Sequence, residues 1–302
     1  MPQRSFTMEH LYNYVLEHEG RPDVIYAHFS FFAGYAAIKI AERMNVPVMV
    51  LEHYSGLMKK VITNAEISTL KYVIANADEF ACVSDGLKRF VVHHTGISEG
   101  INVIYNMVDS KFTYYEPKNE ANVRFFSLGN LNHRKRFHLL LEAFFEAFEP
   151  SDNVRLFIAG KGEMETTLNS MIRATDRREQ VVMLGSLSRN QILEQYQLCN
   201  CFALPSAFET FGLVWREAMA VGRPIITTDH GGFDNWDDRW GLKIPVDDKL
   251  ALVDALRNMR GNWNKYDGKL ISDMCLDTHS SKKISRQIEQ TLYTAINKRR
   301  CI

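Results

Sequence analysis

Short apolar runs alternate with helical patterns along the whole chain. The strand-length runs of the first third are DVIYAHF (23–29), PVMVLEH (47–53), EFACVS (79–84) and INVIYNMVD (101–109). Helical patterns cover residues 7–19, 33–44, 64–76 and 85–96, and Gly96 closes the last of them. This alternation predicts a parallel sheet with crossover helices.

The alternation starts again after a polar stretch, KFTYYEPKNEAN (111–122), which is the best candidate for a domain boundary. Five further strands are predicted over 123–131, 154–162, 181–185, 201–206 and 223–229. Helical patterns follow them over 137–148, 163–174, 188–199 with Ser188 as N-cap, 210–222, 248–260 and 280–298. The second half therefore predicts a complete doubly wound domain with a nucleotide site at the carboxyl ends of its strands.

These patterns divide the chain into two doubly wound α/β domains, over 1–115 and 116–280, followed by a helical segment over 281–302. The first domain offers only about four strands. In the last helix, apolar residues recur every four positions and predict a buried stripe: Ile284, Ile288, Leu292 and Ile296.

Charge and composition exclude several classes of function. The chain has 36 basic and 36 acidic residues, so no overall positive field favours nucleic acid. No apolar run approaches the roughly 18–20 residues that span a bilayer, and the polar N-terminus does not resemble a signal peptide. The five cysteines lack metal-ligand spacing, and the acidic WDDRW (236–240) lacks partner ligands. We expect a cytoplasmic protein with no metal site and no cofactor.

The densest chemical signal is the segment 204–232, LPSAFETFGLVWREAMAVGRPIITTDHGG. It predicts a strand, a turn that carries Glu209, and a helix that starts near Phe211–Gly212 and contains Glu217. The amides of a first helical turn can bind a phosphate, and Gly212 allows a ligand to approach the backbone closely. The two carboxylates could hold opposite ends of an elongated ligand. The alternative is that both glutamates are solvated, as glutamates at such spacing usually are.

Other predicted strands also end in glycine. GNLNHRKR (129–136) places Arg134 and Lys135 before a helix, where they could pair with a diphosphate, although a short basic run is more often a solvated surface. AGKGE (159–163) and DHGG (229–232) end two further strands. We interpret these strand ends as opening toward one edge of the sheet.

In the first half, His28 and His53 end predicted strands. A histidine there could contact a sugar or act as a general base, although for His28 a purely structural role is favoured.

Residues 204–232 resemble the family 4 retaining glycosyltransferases. Their second domain carries the pattern P-S-x-x-E-x-F-G-x-x-x-x-E-A-M-A-x-G-x-P, which reads here PSAFETFGLVWREAMAVGRP. RPDVIYAHF, PVMVLEHYS, VIYNMVD, RKRFHLLLEAF and a late helix containing LYTAI resemble other family segments in the same order. The resemblance covers the chain from about residue 22 to its end. It implies the GT-B fold, with two Rossmann-like domains and a last helix that crosses back onto the first.

The resemblance also implies an activity and a set of site residues. A nucleotide-diphosphate sugar is the expected donor, and a saccharide or lipid-linked molecule is the expected acceptor, without a catalytic metal. Glu217 would bind the ribose, Lys135 would neutralise the diphosphate, Glu209 would hold the donor sugar and its distal phosphate, and His53 would face that sugar from the other lobe. The expected catalytic residues are Glu209 and His53, and the expected donor-binding residues are Asn130, Arg134, Lys135, Phe211, Gly212, Leu213 and Glu217.

The chain departs from the family pattern at several positions. Asn130 stands where an arginine is common, Arg136 follows Lys135 in place of glycine, and Asn235 replaces a common carboxylate. No segment matches the opening strand and Gly-rich loop of the first domain, so we expect that domain to be incomplete. This leaves open a nucleotide-sugar-binding remnant or subunit without full activity and, third, another GT-B enzyme such as a sugar-nucleotide epimerase.

Two contacts with partners are also left open. Residues 57–77 place lysines beside apolar residues and could lie on a membrane surface, or form a packed surface helix. Self-association is expected if missing strands leave a sheet edge exposed.

Overall fold

The structure is a computed structural model that describes residues 2–58, 62–117, 122–175, 177–233 and 235–300, without the side chains of 2–9 and 300. The chain forms two compact units. The first comprises Met1–Asn106 and Lys282–Ile302, and the second comprises Met107–Ser281. The domain limits at 115/116 and 280/281 stay predictions from the sequence.

The first unit contains a parallel four-stranded sheet with the strand order β1-β2-β3-β4. Its strands are β1 Ile25–His28, β2 Val48–Glu52, β3 Glu79–Cys82 and β4 Ile101–Val103. Its helices are α1 Pro2–His18, α2 Tyr35–Met44, α3 Asn64–Asn76, α4 Asp85–Thr95 and α11 Ser281–Arg300. The sheet agrees with the sequence prediction. Over 101–109 the sequence predicts a strand that runs into an extended segment, and the paired strand ends at Val103, since β4 pairs with three residues of β3.

Helix ends in this unit follow their local chemistry. The Thr63 hydroxyl accepts a hydrogen bond from the Glu66 amide, and the Glu66 carboxylate accepts from the Thr63 amide, which forms a capping box at the start of α3. Gly96 ends α4 in the left-handed conformation, as predicted. Helix α3 buries Leu70 and Val73. This part of 57–77 is therefore a packed helix, while residues 59–61 lie outside the described residues.

The last helix, α11, packs in the first unit. Its predicted apolar stripe includes Ile284, which is buried, and Ile288, Leu292 and Ile296, which are partly buried. Lys298 Nζ lies 2.6 Å from a Glu79 carboxylate oxygen, and Arg299 Nε donates to Asp78 at 2.9 Å. These ion pairs attach the end of α11 to the start of β3.

The second unit contains a parallel six-stranded sheet with the order β10-β9-β8-β5-β6-β7. Its strands are β5 Val123–Leu128, β6 Val154–Ala159, β7 Val181–Gly185, β8 Cys201–Leu204, β9 Ile225–Thr228 and β10 Gly241–Ile244. The chain builds outward from β5 to β7 and then returns to place β8 on the other side of β5. The pair β5–β8 is therefore the switch point of a doubly wound sheet, where ligands bind beside the carboxyl ends of the strands.

Helices cover both faces of this sheet around an aromatic core that includes Phe126, Phe202 and Trp215. They are α5 Phe137–Ala147, α6 Glu165–Ala174, α7 Arg189–Leu198, α8 Leu213–Ala220, α9 Lys249–Asn262 and α10 Gly268–His279. Strand β10 and helix α10 were not predicted. Strand β10 starts at a glycine and contains Lys243, so its sequence carries little strand signal.

Candidate functional site

Two loops leave the sheet of the second unit at its switch point. One follows β5 and contains Gly129–Arg136, and the other follows β8 and contains Pro205–Gly212. The Ala207 amide donates to the carbonyl of Arg134 at 2.8 Å, which joins the two loops. The sequence-predicted residues of both loops are thereby brought together at one end of the sheet.

A buried ion cluster lies where these loops meet. Lys135 Nζ is 2.6 Å from Glu209 Oε1, and Arg134 Nη1 is 2.8 Å from the same oxygen. Lys135 is 8 % exposed and Glu209 is 7 % exposed, so the alternative of a solvated basic run and a solvated glutamate is wrong for both. Burial by itself would raise the pKa of Glu209, but Lys135 and Arg134 outweigh it and hold that pKa below its ordinary value. Together the three side chains carry one net positive charge.

Local backbone geometry places Lys135. A short 3₁₀ turn, His133–Lys135, is capped by Asn132, whose side-chain oxygen accepts from the Lys135 amide at 3.2 Å. The turn ends at Arg136 with a positive φ of 55°, and Arg136 pairs with Asp247 outside the cluster. Burial, only partly offset by Glu209, lowers the pKa of Lys135. Asn130, in the same loop, is exposed.

Helix α8 begins beside the cluster. Gly212 precedes it with φ 77° and ψ 57°, and a Cβ at this position would lie 2.6 Å from a ring carbon of Trp215. Glycine is therefore required both by backbone conformation and by space. Among the described residues, no side chain caps this helix end. Its first-turn amides include that of Leu213 and are positioned as an anion site next to two cations.

Glu217 lies inside α8 and is only 2 % exposed. Arg189 Nη1, from the first residue of α7, lies 2.7 Å from Glu217 Oε1, and the Tyr196 hydroxyl lies 3.4 Å from Oε2. The Tyr196 hydroxyl also donates to the Val214 carbonyl at 2.7 Å. Burial raises the pKa of Glu217, and Arg189 offsets only part of that effect. The carboxylate thus has one partly exposed cationic partner, since the Arg189 side chain is 40 % exposed.

Sequence reasoning missed Arg189 and Tyr196. The Ser188 N-cap places Arg189 in the first turn of α7, as its capping box confirms. However, no spacing rule connects that turn to Glu217 in another helix. Their juxtaposition follows from the tertiary arrangement of α7 and α8.

His230 was also missed as a neighbour of the ion cluster. Its carbonyl accepts from the Glu209 amide at 3.3 Å, and its Nδ1 accepts from the Gly232 amide at 3.0 Å. Burial lowers the pKa of His230 to about 3, so the ring is neutral at pH 7 and its proton is on Nε2. The DHGG segment is therefore packed against the Glu209 loop.

The glycines after β6 have a packing role. A Cβ on Gly160 would lie 1.9 Å from the Gly129 carbonyl oxygen, and one on Gly162 would lie 2.5 Å from that of Leu131. These glycines let the loop after β6 pass directly against the loop that carries Lys135.

In the first unit, His28 is the last residue of β1, and His53 directly follows β2. His28 Nδ1 lies 3.2 Å from His53 Nε2, and the Phe29 ring stacks on His53 with centroids 4.1 Å apart. Burial, followed by the nearby His28, lowers the pKa of His53 to about 4, so this imidazole is neutral at pH 7. The role of His53 toward a donor sugar stays a prediction of the family resemblance.

The described part of the chain shows neither a metal-ligand cluster nor a membrane-spanning helix. No group of three or more His, Cys, Asp or Glu side chains is arranged to hold a metal ion there. In WDDRW, Asp237 pairs with Arg239, and Asp238 accepts from the Trp236 indole. No helix in the described part of the chain has the length and apolar character needed to cross a membrane.

Comparison with known proteins agrees with this fold. Residues 2–112 match the family model "Glycosyltransferase Family 4", and residues 114–263 match "Glycosyl transferases group 1". Glycogen synthase of Mycobacterium tuberculosis is 25% identical over 252 residues, which are 79% of this chain and 60% of that protein. The matched region thus spans about three fifths of this curated relative.

Two solved structures share the architecture. Sucrose-phosphate synthase from Thermosynechococcus elongatus aligns with a TM-score of 0.80 and 19% identity over 92% of this chain and 74% of that chain. Anabaena Alr3699/HepE, solved in complex with UDP, aligns with a TM-score of 0.82 and 17% identity over 95% of this chain and 81% of that chain. The fold and the two matched domains define a GT-B protein. The chain belongs to the glycosyltransferases, since it matches the family 4 model over 2–112 and the group 1 model over 114–263.

Proposed function

We propose that this protein is a retaining glycosyltransferase that moves a sugar from a nucleoside-diphosphate sugar to a saccharide or lipid-linked acceptor. The activity would serve polysaccharide or glycolipid synthesis. The observation that carries the proposal is the buried cluster of Lys135, Arg134 and Glu209 at the start of α8.

The cluster suits a diphosphate. Two cations share one carboxylate oxygen, so the cluster keeps one positive charge. An entering phosphate can pair with that charge while Glu209 stays paired. The amides of the first turn of α8, with the Gly212 backbone open to close approach, supply further donors for the distal phosphate. As charge develops on the departing diphosphate, Lys135 and these amides stabilise it.

Glu217 suits the ribose. A buried carboxylate accepts from two vicinal hydroxyls, and such bonds to a charged acceptor are stronger than neutral ones. Arg189 pairs with one oxygen of Glu217 and offsets part of the effect by which burial raises the pKa of this carboxyl. Ribose hydroxyls would bind beside this ion pair or displace it.

The proposed reaction balances without a metal or cofactor. The bond between the sugar anomeric carbon and the diphosphate oxygen breaks, and an acceptor hydroxyl forms a new bond on the same face. The departing phosphate takes the acceptor proton. Glu209, held ionised by its two cations, would bind the donor sugar near the bond that breaks.

A solved neighbour supports a nucleotide-sugar donor. Anabaena Alr3699/HepE has been solved with UDP and with UDP-glucose, so a protein of the same fold binds a nucleotide sugar. The four described cysteines are buried free thiols, which agrees with a reducing compartment such as the cytoplasm.

Isothermal calorimetry with UDP, ADP, GDP and their glucose conjugates tests the donor site. Wild type is compared with Glu217→Gln and Lys135→Met, and with Lys249→Met as a control, because Lys249 pairs only with Glu146 on the surface among the described contacts. We expect one nucleotide class to bind, both site variants to weaken it, and the control to match wild type.

Transfer is tested separately with the nucleotide that binds. Incubation of its radiolabelled sugar conjugate with saccharide and lipid acceptors should give a product of retained configuration. Binding without transfer would favour the nucleotide-sugar-binding remnant. No binding by a folded protein at millimolar nucleotide would contradict the proposal.

A further inference from the structure

Arg216 is a buried cation beside the candidate donor site. It lies in α8, directly before Glu217, and is only 6 % exposed. A buried guanidinium is costly unless its N–H groups are hydrogen-bonded. Two backbone carbonyls accept from it: Nη1 donates to Phe211 at 2.5 Å, and Nη2 donates to Gly232 at 2.6 Å. Arg216 therefore links the loop after β8 to the loop after β9.

Two aromatic rings hold this guanidinium in one orientation. Its central carbon lies 3.5 Å from the centroid of the Phe233 ring and 4.6 Å from that of the Phe211 ring. A planar guanidinium stacks on aromatic faces, whereas the ammonium of lysine is a compact charge on a flexible stem. Both rings are themselves buried. The direction of the two donated hydrogen bonds is thus fixed by packing, and a lysine at this position could not reproduce it.

The bond to the Phe211 carbonyl also fixes the next amide. This carbonyl and the Gly212 N–H belong to one planar trans peptide unit, in which the C=O and the N–H point in opposite directions. Arg216 therefore directs the Gly212 N–H away from its own guanidinium. A cation bound to the carbonyl polarises the same peptide unit, so the N–H at the other end becomes a stronger donor.

Gly212 benefits from such a restraint more than another residue would. Its left-handed conformation, φ 77° and ψ 57°, is one of many that glycine can adopt, so an unrestrained N–H would point in several directions. The loop after β9 supports the same turn at a second point, because the Glu209 amide donates to the His230 carbonyl at 3.3 Å. Gly232 packs so closely that a Cβ there would lie 3.2 Å from the Phe211 carbonyl oxygen.

We propose that Arg216 is a positioning residue that directs the Gly212 amide toward the distal phosphate of the donor diphosphate. This inference rests on the proposed function and deepens it, because it assigns one amide and the side chain that orients it. Arg216 acts through the peptide unit and does not contact the phosphate. The phosphate gains a directed N–H donor in addition to the net positive charge of the cluster of Lys135, Arg134 and Glu209.

Comparison of nucleoside diphosphates with monophosphates isolates this role, because a monophosphate lacks the distal phosphate. Isothermal calorimetry uses UDP with UMP, ADP with AMP, and GDP with GMP. Arg216→Lys should weaken binding of the diphosphate by about tenfold and leave the matching monophosphate within about twofold of wild type. Phe233→Leu removes one ring from the guanidinium and should weaken the diphosphate alone by about threefold, which keeps the test available if Arg216→Lys does not fold.

Arg223→Lys is the matched control. Arg223 is also buried, and it donates to carbonyls outside the turn before α8, those of Tyr115, Tyr196 and Gln197. Any loss of stability in this variant should leave the ratio of diphosphate to monophosphate affinity as in wild type. An unchanged ratio in Arg216→Lys and Phe233→Leu, or an equal change in Arg216→Lys and Arg223→Lys, would overturn the inference and leave Arg216 with a purely structural role.

NMR of the ¹⁵N-labelled protein observes the amide itself. In wild type, the Gly212 amide proton should move downfield when the diphosphate is added, and much less when the monophosphate is added. In Arg216→Lys the diphosphate should cause a smaller shift. Diphosphate binding that leaves the Gly212 amide unmoved would refute this inference alone. Absence of nucleotide binding by folded wild type would refute the proposed function and, with it, this inference.

Discussion

Lys135 Nζ lies 2.6 Å from Glu209 Oε1, although one residue follows β5 and the other follows β8. The pair therefore forms only when the two halves of the second unit's sheet have assembled at the switch point. It connects the order of the strands to the proposed phosphate site, because the same lysine that stabilises Glu209 is the one placed to meet a diphosphate.

The Lys135–Glu209 pair should contribute to stability as well as to binding. Lys135→Met removes the closer of two cations from a buried carboxylate and should lower the free energy of unfolding by about 3 kcal/mol. All four tryptophans lie in the second unit, so urea unfolding followed by tryptophan fluorescence reports on this unit. The same variant should weaken nucleoside-diphosphate binding.

A double-mutant cycle isolates the pair. Glu209→Gln should also destabilise the protein, because it leaves the buried Lys135 and the partly buried Arg134 without a carboxylate partner. The loss in Lys135→Met/Glu209→Gln should then be smaller than the sum of the two single losses. Strict additivity would show that the two groups do not interact in solution.

Glu217 should make nucleotide binding sensitive to pH. Its raised pKa means that the folded protein binds this proton more tightly than the unfolded chain. Protonated Glu217 therefore favours the fold at low pH, and that contribution is lost as the pH rises through the raised pKa. Ribose binding requires the ionised form and should weaken as the pH falls through the same value.

The Glu217→Gln variant checks this assignment. We expect it to bind the nucleotide about 10- to 100-fold more weakly than wild type at pH 7.5, without the pH dependence of wild type. Calorimetric titrations between about pH 5 and 8 measure both effects. An unchanged pH profile in the variant would assign the dependence to another group.

Arg189 should set the pH range of that effect. Its guanidinium is 2.7 Å from Glu217 Oε1 and lowers the pKa that burial raises. Arg189→Met should raise the pKa of Glu217 further, so nucleotide binding should be lost at a higher pH than in wild type. Arg239→Met is the control, because Arg239 pairs with Asp237 on the surface. A midpoint that moves equally in both variants would show a general effect of charge.

The sequence predicted most of the fold and named the candidate donor-site residues, but it did not predict how those side chains are paired. Strand periodicity and glycines were sufficient for β1–β9, because buried parallel strands are short apolar runs with clear ends. Strand β10 was missed because Gly241 and Lys243 interrupt its apolar run. Glu217 was identified from its motif, whereas its partner Arg189 depends on helix packing that no local pattern encodes.

The backbone conformation of the segment after β1 was also not predictable from local sequence patterns. The residues AHFSFFAGY predict a strand end and a helix, and nothing in them predicts positive φ at Phe29 or Phe32. The same segment is held by Glu52, which lies in another strand and accepts from the amides of Ser30 and Tyr54. Backbone strain of this kind becomes visible only in three dimensions.

The glycines after β6 provide a test of loop packing beside the ion cluster. Gly160 has φ 138°, and an added Cβ would lie 1.9 Å from the Gly129 carbonyl oxygen, so neither backbone could remain in place. Gly160→Ala should therefore destabilise the second unit by about 3 kcal/mol or more and, by moving the loop that carries Lys135, weaken nucleotide binding.

Gly261→Ala is its matched control, since Gly261 lies near the end of α9 and an added Cβ would meet no atom within 4 Å. Alanine is the better helix former, so this variant should gain up to about 1 kcal/mol and bind nucleotide as wild type does. Urea unfolding of both variants gives the comparison. A Gly160→Ala protein as stable as Gly261→Ala would mean that the loops after β5 and β6 do not approach each other as closely as this structure shows. The position of Lys135 would then need another support.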